Sequence, residues 1–288
     1  MVWVTGAKGI LGTEICKTLN REDIDYVATG SEVDITDIDE VNLFAHNRGR
    51  RISWIVNCAA YTAVDKAENE AALCEKINFK GAENVAKIAK GLGCPLIHFS
   101  TDYVFDGTGS VTYREDDPAQ PVSVYGKTKL QGERAVAAFN ERFYIVRTSW
   151  LYGRGGKNFV NTMLCFMNEL DSFTVVNDQI GSPTNAADLS FAALQFIKKA
   201  DHCEAGIYNY SNEGVCTWFE FANEIYRLGR LNGLIKKECF ICPCTTVECP
   251  TKAPRPAFSV LDKTKIKKTL QIDIPDWKTS LRKYLEND

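Results

Sequence analysis

The chain has 288 residues, enough for two domains at most at roughly 100–200 residues per domain. Hydrophobic residues make up 45% and charged residues 25%, which is typical of globular proteins and excludes a disordered, collagen-like or coiled-coil chain. The net charge of -3 predicts no nucleic-acid partner, and no apolar run approaches the ~18–20 residues of a membrane span.

Short apolar strands alternate with amphipathic helices through the first half of the chain. Strands are predicted at residues 2–5, 26–28, 54–56, 96–99 and 144–146. Helices are predicted at 10–19, twice within 64–92, and at 127–139. Nearly continuous apolar strands between helices are typical of a parallel sheet covered on both faces. The sequence therefore predicts an α/β fold with a Rossmann-type doubly wound parallel sheet.

The pattern loosens after residue 149. A glycine-rich stretch at 153–156 precedes a predicted helix at 159–167, a strand at 173–176 and a helix at 186–197. Residues 239–249 are predicted to be irregular, and 277–285 to form a terminal helix. We expect a dinucleotide-binding domain at 1–149 and a smaller α+β substrate-binding domain at 150–288. The segment at about 172–188 is expected to return to the first domain.

The 11 cysteines are scattered, odd in number and set in a chain too large to need a disulfide framework. They predict reduced thiols in a cytoplasmic protein, and the strand pattern at residues 2–5 leaves no room for a signal peptide. Cys239, Cys242, Cys244 and Cys249 cluster and are candidate zinc ligands, but their spacing differs from the paired knuckles of structural zinc sites. Thiols without a metal are the favoured interpretation, and no metal is predicted.

A glycine-rich turn follows the first strand. Gly6, Gly9 and Gly12 are spaced as GxxGxxG, and Ile10 and Leu11 open the helix that follows. Such glycines allow a tight turn, a close approach to a pyrophosphate and close packing of helix on strand, while the helix N-terminus offers free N–H groups. The alternative is a purely structural turn. In this strand–turn–helix context the motif predicts dinucleotide binding.

The end of the second strand is expected to approach the adenosine ribose of the cofactor. Residues 28–31 offer neither the acid that binds a ribose 2′-OH nor an arginine, and Thr29 stands there instead. Asp34 and Ile35 come next as candidate cofactor contacts, although Asp34 is equally well explained as a helix N-cap. The missing acid favours NADPH, with NADH as the alternative.

Tyr125 and Lys129 are four residues apart on one face of a predicted helix. A ketone that accepts hydride needs a proton on its oxygen, and a tyrosine can donate it if a neighbouring ammonium lowers the pKa of the phenol. The alternative is two exposed helix residues. Ser100 and Thr101 lie at the end of an upstream strand, where ligands bind in open α/β sheets, and a hydroxyl there can share the substrate oxygen with Tyr125. These residues support the catalytic interpretation.

Several strings in this sequence resemble one family. The turn and the Tyr–Lys pair together are similar to the extended short-chain dehydrogenase/reductase superfamily. Within it, residues 57–68, NCAAYTAVDKAE, resemble the dTDP-4-dehydrorhamnose reductase family. Further strings with the same resemblance lie, in order, at 99–107, 124–133, 147–153, 178–184 and 255–262.

The resemblance implies reduction of the 4-keto group of dTDP-6-deoxy-L-lyxo-4-hexulose by NAD(P)H, giving dTDP-L-rhamnose. It implies the catalytic residues Thr101, Tyr125 and Lys129, of which Tyr125 and Lys129 also contact the cofactor. Substrate contacts are implied for Thr101, Asp102, Tyr103 and Trp150. Cofactor contacts are implied along Ala59, Ala60, Tyr61 and Thr62. It also implies that Asn78 braces the active-site backbone, although from the residues alone Asn78 could simply be solvated.

The sequence departs from the family at two positions. Ile10 stands where many members have Gln, which changes little because the backbone makes the contacts. Thr29 replaces an acid that some members carry, so the preference between NADPH and NADH stays open. Some members dimerise through carboxylates that hold Mg²⁺, but no equivalent acidic set aligns here. A monomer or a homodimer is expected.

Two other functions are compatible with the sequence. One is an epimerase or dehydratase of the same superfamily acting on another nucleotide sugar. Such enzymes usually have further acid/base residues near the Ser/Thr, whereas here Asp102 and Tyr103 follow it. The other is a non-catalytic subunit similar to the regulatory β subunit of methionine adenosyltransferase. The intact Tyr125–Lys129 pair argues against that role.

Overall fold

A computed structural model describes residues 1–47, 49–199 and 202–286. The strands are β1 Val2–Thr5, β2 Tyr26–Ala28, β3 Trp54–Asn57, β4 Leu96–Thr101, β5 Phe143–Thr148, β6 Leu151–Tyr152, β7 Ser172–Val176, β8 Ile180–Gly181, β9 Thr184–Asn185, β10 Gly206–Tyr210, β11 Cys216–Thr217 and β12 Phe240–Cys244. The α-helices are α1 Ile10–Arg21, α2 Ile38–His46, α3 Val64–Ala67, α4 Ala71–Glu75, α5 Ala82–Leu92, α6 Val124–Phe139, α7 Phe159–Glu169, α8 Ala186–Lys198, α9 Trp218–Leu231, α10 Thr264–Leu270 and α11 Trp277–Glu286. A π-helix at Lys76–Gly81 joins α4 to α5, and a 3₁₀ turn at Asp102–Val104 follows β4.

Six of these strands form a parallel sheet in the order β10-β5-β4-β3-β1-β2. Every residue of β1, β3 and β4 is buried, as expected for strands covered on both faces. The order reverses between β1 and β3, where ligands bind in open α/β sheets. The predicted doubly wound parallel sheet is confirmed.

Two apolar layers cover the sheet. On one face α1 and α8 pack together, with Leu11, Ile15 and Leu189 in the core. On the other face α2 and α5 contribute Val41 and Val85. The apolar spacing along α1 predicts this packing, because residues three and four apart share one helix face.

A smaller apolar core lies beyond the sheet, among α7, α9 and α11, with Phe221, Ile225 and Leu281 fully buried. The parallel pair β7–β12 lies beside this core. The predicted boundary at 149/150 stays a prediction. Of the later residues, α8 and β10 belong to the sheet layer, whereas β7, within the segment 172–188, pairs with β12 outside the sheet.

The expectation for residues 239–249 is wrong in two respects. Phe240–Cys244 forms β12 rather than irregular chain, because it pairs with β7, a partner about 70 residues earlier that local sequence does not reveal. Cys244 and Cys249 form a disulfide rather than two reduced thiols. The turn at Thr245, whose carbonyl accepts the N–H of Cys249, brings the two sulfur atoms together.

The remaining nine cysteines are free thiols, and Cys239 is buried while Cys242 is exposed. Within the described residues, no cluster of three or more His, Cys, Asp or Glu side chains is arranged to hold a metal ion. None of the described helices is long and apolar enough to cross a membrane.

Candidate active site

The candidate site lies at the carboxyl edge of the sheet. Gly6 follows β1, Asn57 ends β3 and Thr101 ends β4. Parallel strands bring these ends to one side, so residues far apart in the sequence line a single cleft.

The glycine-rich turn leaves no room for side chains. Gly6 has φ +62°, and a Cβ there would lie 2.5 Å from the backbone nitrogen of Ala59. A Cβ on Gly12 would lie 2.4 Å from the carbonyl oxygen of Gly6. Helix α1 begins at Ile10 with no side-chain cap and no acid in its first turn. Its first N–H groups therefore face the turn, which fits the pyrophosphate of a dinucleotide.

We expect Gly12→Ala to lower both the free energy of unfolding and the affinity for NADPH. The added methyl group must push the Gly6 carbonyl aside, and overpacking of this kind costs about 1–3 kcal/mol. Chemical denaturation and a fluorescence titration with NADPH measure the two effects. The matched control is Gly91→Ala in α5, where a Cβ meets nothing within 4 Å and should stabilise the helix by about 0.5–1 kcal/mol. Unchanged NADPH affinity in Gly12→Ala would contradict a phosphate-binding turn.

Three predicted cofactor contacts have their side chains engaged elsewhere. The Thr29 hydroxyl accepts from Trp3 Nε1 over 3.0 Å inside the protein. The Asp34 carboxylate accepts from both the N–H and the hydroxyl of Thr36. Ile35 is buried in the core. Of the three side chains, that of Asp34 is exposed and keeps Oδ2 free of the bonds to Thr36.

A charged pair that the sequence analysis missed lies at the end of β2. Glu32 accepts from the N–H of Gly30 over 2.6 Å and pairs with Lys8 over 3.0 Å. These bonds lower the pKa of Glu32 to about 2. Both side chains line an open cavity of about 490 Å³ beside the turn. Glu32 follows directly after residues 28–31, which contain no acid. Its bond to the Gly30 N–H brings its carboxylate back to the end of β2, and the sequence alone does not indicate this contact.

Asn78 fixes the main chain that follows β3. Its side-chain oxygen accepts from the N–H of Tyr61 over 2.8 Å, and its nitrogen donates to the carbonyl of the same residue over 3.1 Å. Asn57 holds the preceding residue by accepting from the Ala59 N–H over 3.1 Å. The predicted cofactor segment, Ala59, Ala60, Tyr61 and Thr62, is thus braced at two points. Asn78 is buried in the π-helix, and such bulges often occur at functional sites.

The three predicted catalytic side chains meet at the end of β4. At the start of helix α6 the N–H of Gly126 donates to Oγ of the N-cap residue Ser123, and the helix carries Tyr125 and Lys129 on one face. The side chains of Tyr125 and Thr101 are close enough for Thr101 to influence the pKa of the phenol. Lys129 Nζ donates to the carbonyl of Phe99 over 2.6 Å.

Burial changes the proton affinities of two of these groups. It lowers the pKa of Lys129 to about 8, against the charge of Glu133. It raises the pKa of Tyr125 above its ordinary value, and the nearby carboxylate of Asp102 adds to the rise. The expectation that Lys129 lowers the pKa of this phenol is therefore wrong for the protein without ligands, because desolvation of the phenolate dominates. The effect keeps the proton on Tyr125, as a proton donor requires.

The predicted substrate residues surround this centre. Tyr103 stands edge-on to Tyr125 with ring centroids 5.6 Å apart, and its hydroxyl accepts from Arg255 over 2.7 Å. Arg255 also pairs with Asp65 over 2.7 Å, which ties the chain after β12 to the cleft. Arg255 lies in a string quoted for the resemblance, but the string itself assigns it no role.

Trp150 is held firmly at the other side of the cleft. It has φ +48° and stacks on Trp218 with ring centroids 3.6 Å apart. Gly181 lies against it, since a Cβ there would come within 2.6 Å of the indole ring. A flat, immobile aromatic surface of this kind suits a sugar or a base.

A parallel sheet with a glycine-rich turn and a buried Thr–Tyr–Lys set at its carboxyl edge defines a member of the extended short-chain dehydrogenase/reductase class. Residues 1–288 match the model of the family described as RmlD substrate binding domain. The chain belongs to this family, that of the dTDP-4-dehydrorhamnose reductases.

Individual relatives agree with this assignment. The chain is 41% identical over 282 residues to a dTDP-4-dehydrorhamnose reductase of Streptomyces griseus, covering 96% of this chain and 90% of that one. It is 40% identical over 287 residues to the spore coat polysaccharide biosynthesis protein SpsK of Bacillus subtilis, covering 99% and 96%. A crystal structure of dTDP-4-dehydrorhamnose reductase from Bacillus anthracis in complex with NADP superposes with a TM-score of 0.93 at 36% identity, over 100% of this chain and 99% of that one.

Proposed function

We propose that this chain reduces the 4-keto group of dTDP-6-deoxy-L-lyxo-4-hexulose to the hydroxyl of dTDP-L-rhamnose. The observation that carries the proposal is the meeting of Thr101, Tyr125 and Lys129 at the sheet edge that also bears the glycine-rich turn. Family membership supports the substrate class. NADPH is the proposed cofactor, with NADH as the alternative.

The cofactor supplies hydride when bound, and the residues of the chain do the rest. The tight contacts of Gly6 and Gly12 leave the backbone N–H groups of α1 to hold the pyrophosphate. Lys129, an ammonium below its pKa of about 8, is placed to hold the ribose next to the nicotinamide. Asn78 keeps the segment 59–62 in place along the dinucleotide.

Proton delivery falls to Tyr125. Its raised pKa keeps the phenol protonated until negative charge develops on the substrate oxygen, and it then gives up the proton to that oxygen. Thr101 lies next to Tyr125 and shares the same oxygen. Tyr103, Arg255 and Trp150 line the side of the cleft where the rest of the sugar nucleotide would lie.

The direct test mixes the purified protein with the keto sugar nucleotide, made in situ from dTDP-glucose, and with NADPH or NADH. We expect loss of reduced-nicotinamide absorbance and formation of dTDP-L-rhamnose. A cofactor that co-purifies and survives dialysis, without this turnover, would favour an epimerase or dehydratase. Cofactor binding without turnover, together with a stable complex with methionine adenosyltransferase, would favour a regulatory subunit.

We further propose a cytoplasmic enzyme that is a monomer or a homodimer. Nine free thiols support a reducing compartment. Light scattering on the purified protein measures the oligomeric state.

The Lys8–Glu32 pair should set the cofactor preference. Lys8 is placed to pair with a ribose 2′-phosphate, and Glu32 to accept from a free 2′-OH. We expect Lys8→Gln to weaken NADPH binding about tenfold relative to NADH, since a charge-assisted hydrogen bond contributes about 1.5–3 kcal/mol. Glu32→Gln should tighten NADPH, because it removes a like charge and releases Lys8.

Fluorescence titrations with the two nucleotides measure both effects. Lys17→Gln is the control, because Lys17 lines the same cavity but pairs with Glu14 on its own helix. An unchanged ratio of NADPH to NADH affinity in both variants would remove this role from the pair.

A further inference from the structure

The carboxyl group of Asp102 lies directly behind the hydroxyl of Thr101. Thr101 Oγ1 donates to Asp102 Oδ1 over 3.0 Å, whereas Asp102 Oδ2 is buried and has no hydrogen-bond partner among the described residues. Asp102 is 2% exposed. Oδ2 of Asp102 is left for the substrate contact that the family resemblance implies. The bond at Oδ1 gives the carboxyl group a second route to the reaction, through Thr101.

The single hydroxyl hydrogen of Thr101 limits what this residue can do. An ionised Asp102 only accepts hydrogen bonds, so Thr101 gives its hydrogen to the carboxylate and offers a substrate only lone pairs. A protonated Asp102 can donate to Thr101 instead. The hydrogen of Thr101 is then free to turn toward the substrate oxygen, where negative charge develops as hydride arrives.

We propose that Asp102 is a positioning residue whose neutral form makes Thr101 a hydrogen-bond donor to the substrate oxygen. This inference rests on the proposed function, because it assumes a carbonyl oxygen beside Thr101 and Tyr125. No proton is consumed at Asp102: its carboxyl hydrogen stays in the bond to Thr101, and Tyr125 provides the proton that the product gains.

The surroundings of Asp102 bring the neutral form within reach of working pH. Burial raises the pKa of Asp102 to about 6, against the lowering effects of Ser259 and Thr101. Tyr125 of α6 and Tyr103 of the 3₁₀ turn interact electrostatically with the carboxylate and are neutral phenols. The charged Arg255 directs its bonds at Tyr103 and Asp65.

The sign of the pH effect follows from this assignment. Above about pH 6 the neutral fraction of Asp102 falls about tenfold per pH unit, so turnover should fall with it. A second decline is expected above about pH 8, where Lys129 loses its proton. A variant in which residue 102 cannot ionise should show only the second decline of turnover, the one above about pH 8.

The test compares the pH profile of kcat for the wild type and Asp102→Asn. Asparagine keeps the shape of the side chain, and its Nδ2 can donate to Thr101 at every pH. We expect the decline near pH 6 to disappear in the variant while the decline near pH 8 remains. The same decline in both proteins would overturn the proposal. Complete loss of turnover in a variant that melts normally and binds NADPH normally would also overturn it, because the carboxyl group itself would then be required.

The Thr101→Val variant tests the route of the effect. Valine has no hydroxyl group, so it cannot link the carboxyl group of Asp102 to the substrate oxygen. The residual turnover of Thr101→Val should therefore lack the decline near pH 6. If that decline persists, Asp102 acts by another route and the proposal is wrong.

The titration of Asp102 can also be followed without a substrate. Infrared difference spectra of the wild type against Asp102→Asn report the carbonyl band of a protonated carboxyl group. We expect this band to titrate at about pH 6. A titration at the ordinary aspartate pKa of about 4 would overturn the proposal even if the enzyme acted on another sugar nucleotide. Absence of turnover with a normal infrared titration would instead count against the proposed function alone.

Discussion

Tyr125→Phe should lower kcat by about 10²–10⁴-fold, the usual contribution of a positioned proton donor. Phenylalanine fills the same buried space against Tyr103, so the ring packing is kept and only the hydroxyl is lost. Steady-state turnover of the keto sugar nucleotide measures the effect, and NADPH titration shows whether the cofactor site is intact.

The matched control is Tyr208→Phe. This tyrosine is fully buried on β10 and donates its hydroxyl to the carbonyl of Glu204 over 2.5 Å, far from the cleft in the sheet order. Its loss should lower the free energy of unfolding by about 0.5–1.5 kcal/mol and leave kcat unchanged. Wild-type turnover in Tyr125→Phe would remove Tyr125 from the reaction.

Glu133→Ala should lower the free energy of unfolding by about 3–5 kcal/mol. Glu133 and Arg147 form two parallel bonds, from Nε to Oε1 at 2.9 Å and from Nη2 to Oε2 at 2.7 Å. Their side chains are 2% and 3% exposed. Removing the carboxylate leaves a buried guanidinium without its counter-charge. Urea denaturation followed by circular dichroism measures the loss.

The control for this pair is Glu224→Ala. Glu224 forms a similar paired contact with Arg227, but the arginine is 53% exposed, so its loss should cost no more than about 1 kcal/mol. If Glu133→Ala and Glu224→Ala lost the same free energy of unfolding, burial would not explain the strength of the Glu133–Arg147 pair.

Glu133 should also influence catalysis through Lys129. Its negative charge raises the pKa of Lys129, partly offsetting burial. Glu133→Gln should therefore move the basic decline of kcat to below about pH 8. An unchanged decline would mean that another group titrates there.

Local sequence is sufficient to predict the glycine-rich turn and five of the six strands of the sheet, but not the edge strand β10. The first two strands were predicted to the residue, because Val2–Thr5 and Tyr26–Ala28 are apolar runs bounded by turn residues. The helix of Tyr125 and Lys129 was also found, although it begins three residues earlier, at Val124. The hydrogen bonds of the helix join residues four apart, and although β1 and β2 pair across more than 20 residues, the apolar run of each strand is itself a local pattern.

The missed features depend on contacts between distant segments. Glu32 meets Lys8 across the turn, Arg255 meets Asp65 across 190 residues, and β12 exists because β7 lies beside it. The sequence pattern within each of these segments does not indicate which distant residue or strand it contacts. The resemblance did locate Asn78, whose bonds to Tyr61 the residues alone did not indicate. The catalytic, substrate and cofactor roles assigned to individual residues stay predictions.

The extra residue of the π-helix at Lys76–Gly81 serves the site rather than the fold. A π turn contains one residue more than an α turn, so removing one residue here would leave an ordinary α-helix. The helices on either side, α4 and α5, would keep the same faces toward the core. The side chain of Asn78 and its carbonyl, which approaches Gly132 of α6, would then lose their present direction. Single-residue length variation at this point is thus tolerable for the scaffold and damaging for the cleft. A lineage that drifts away from catalysis can lose the bulge while keeping the fold.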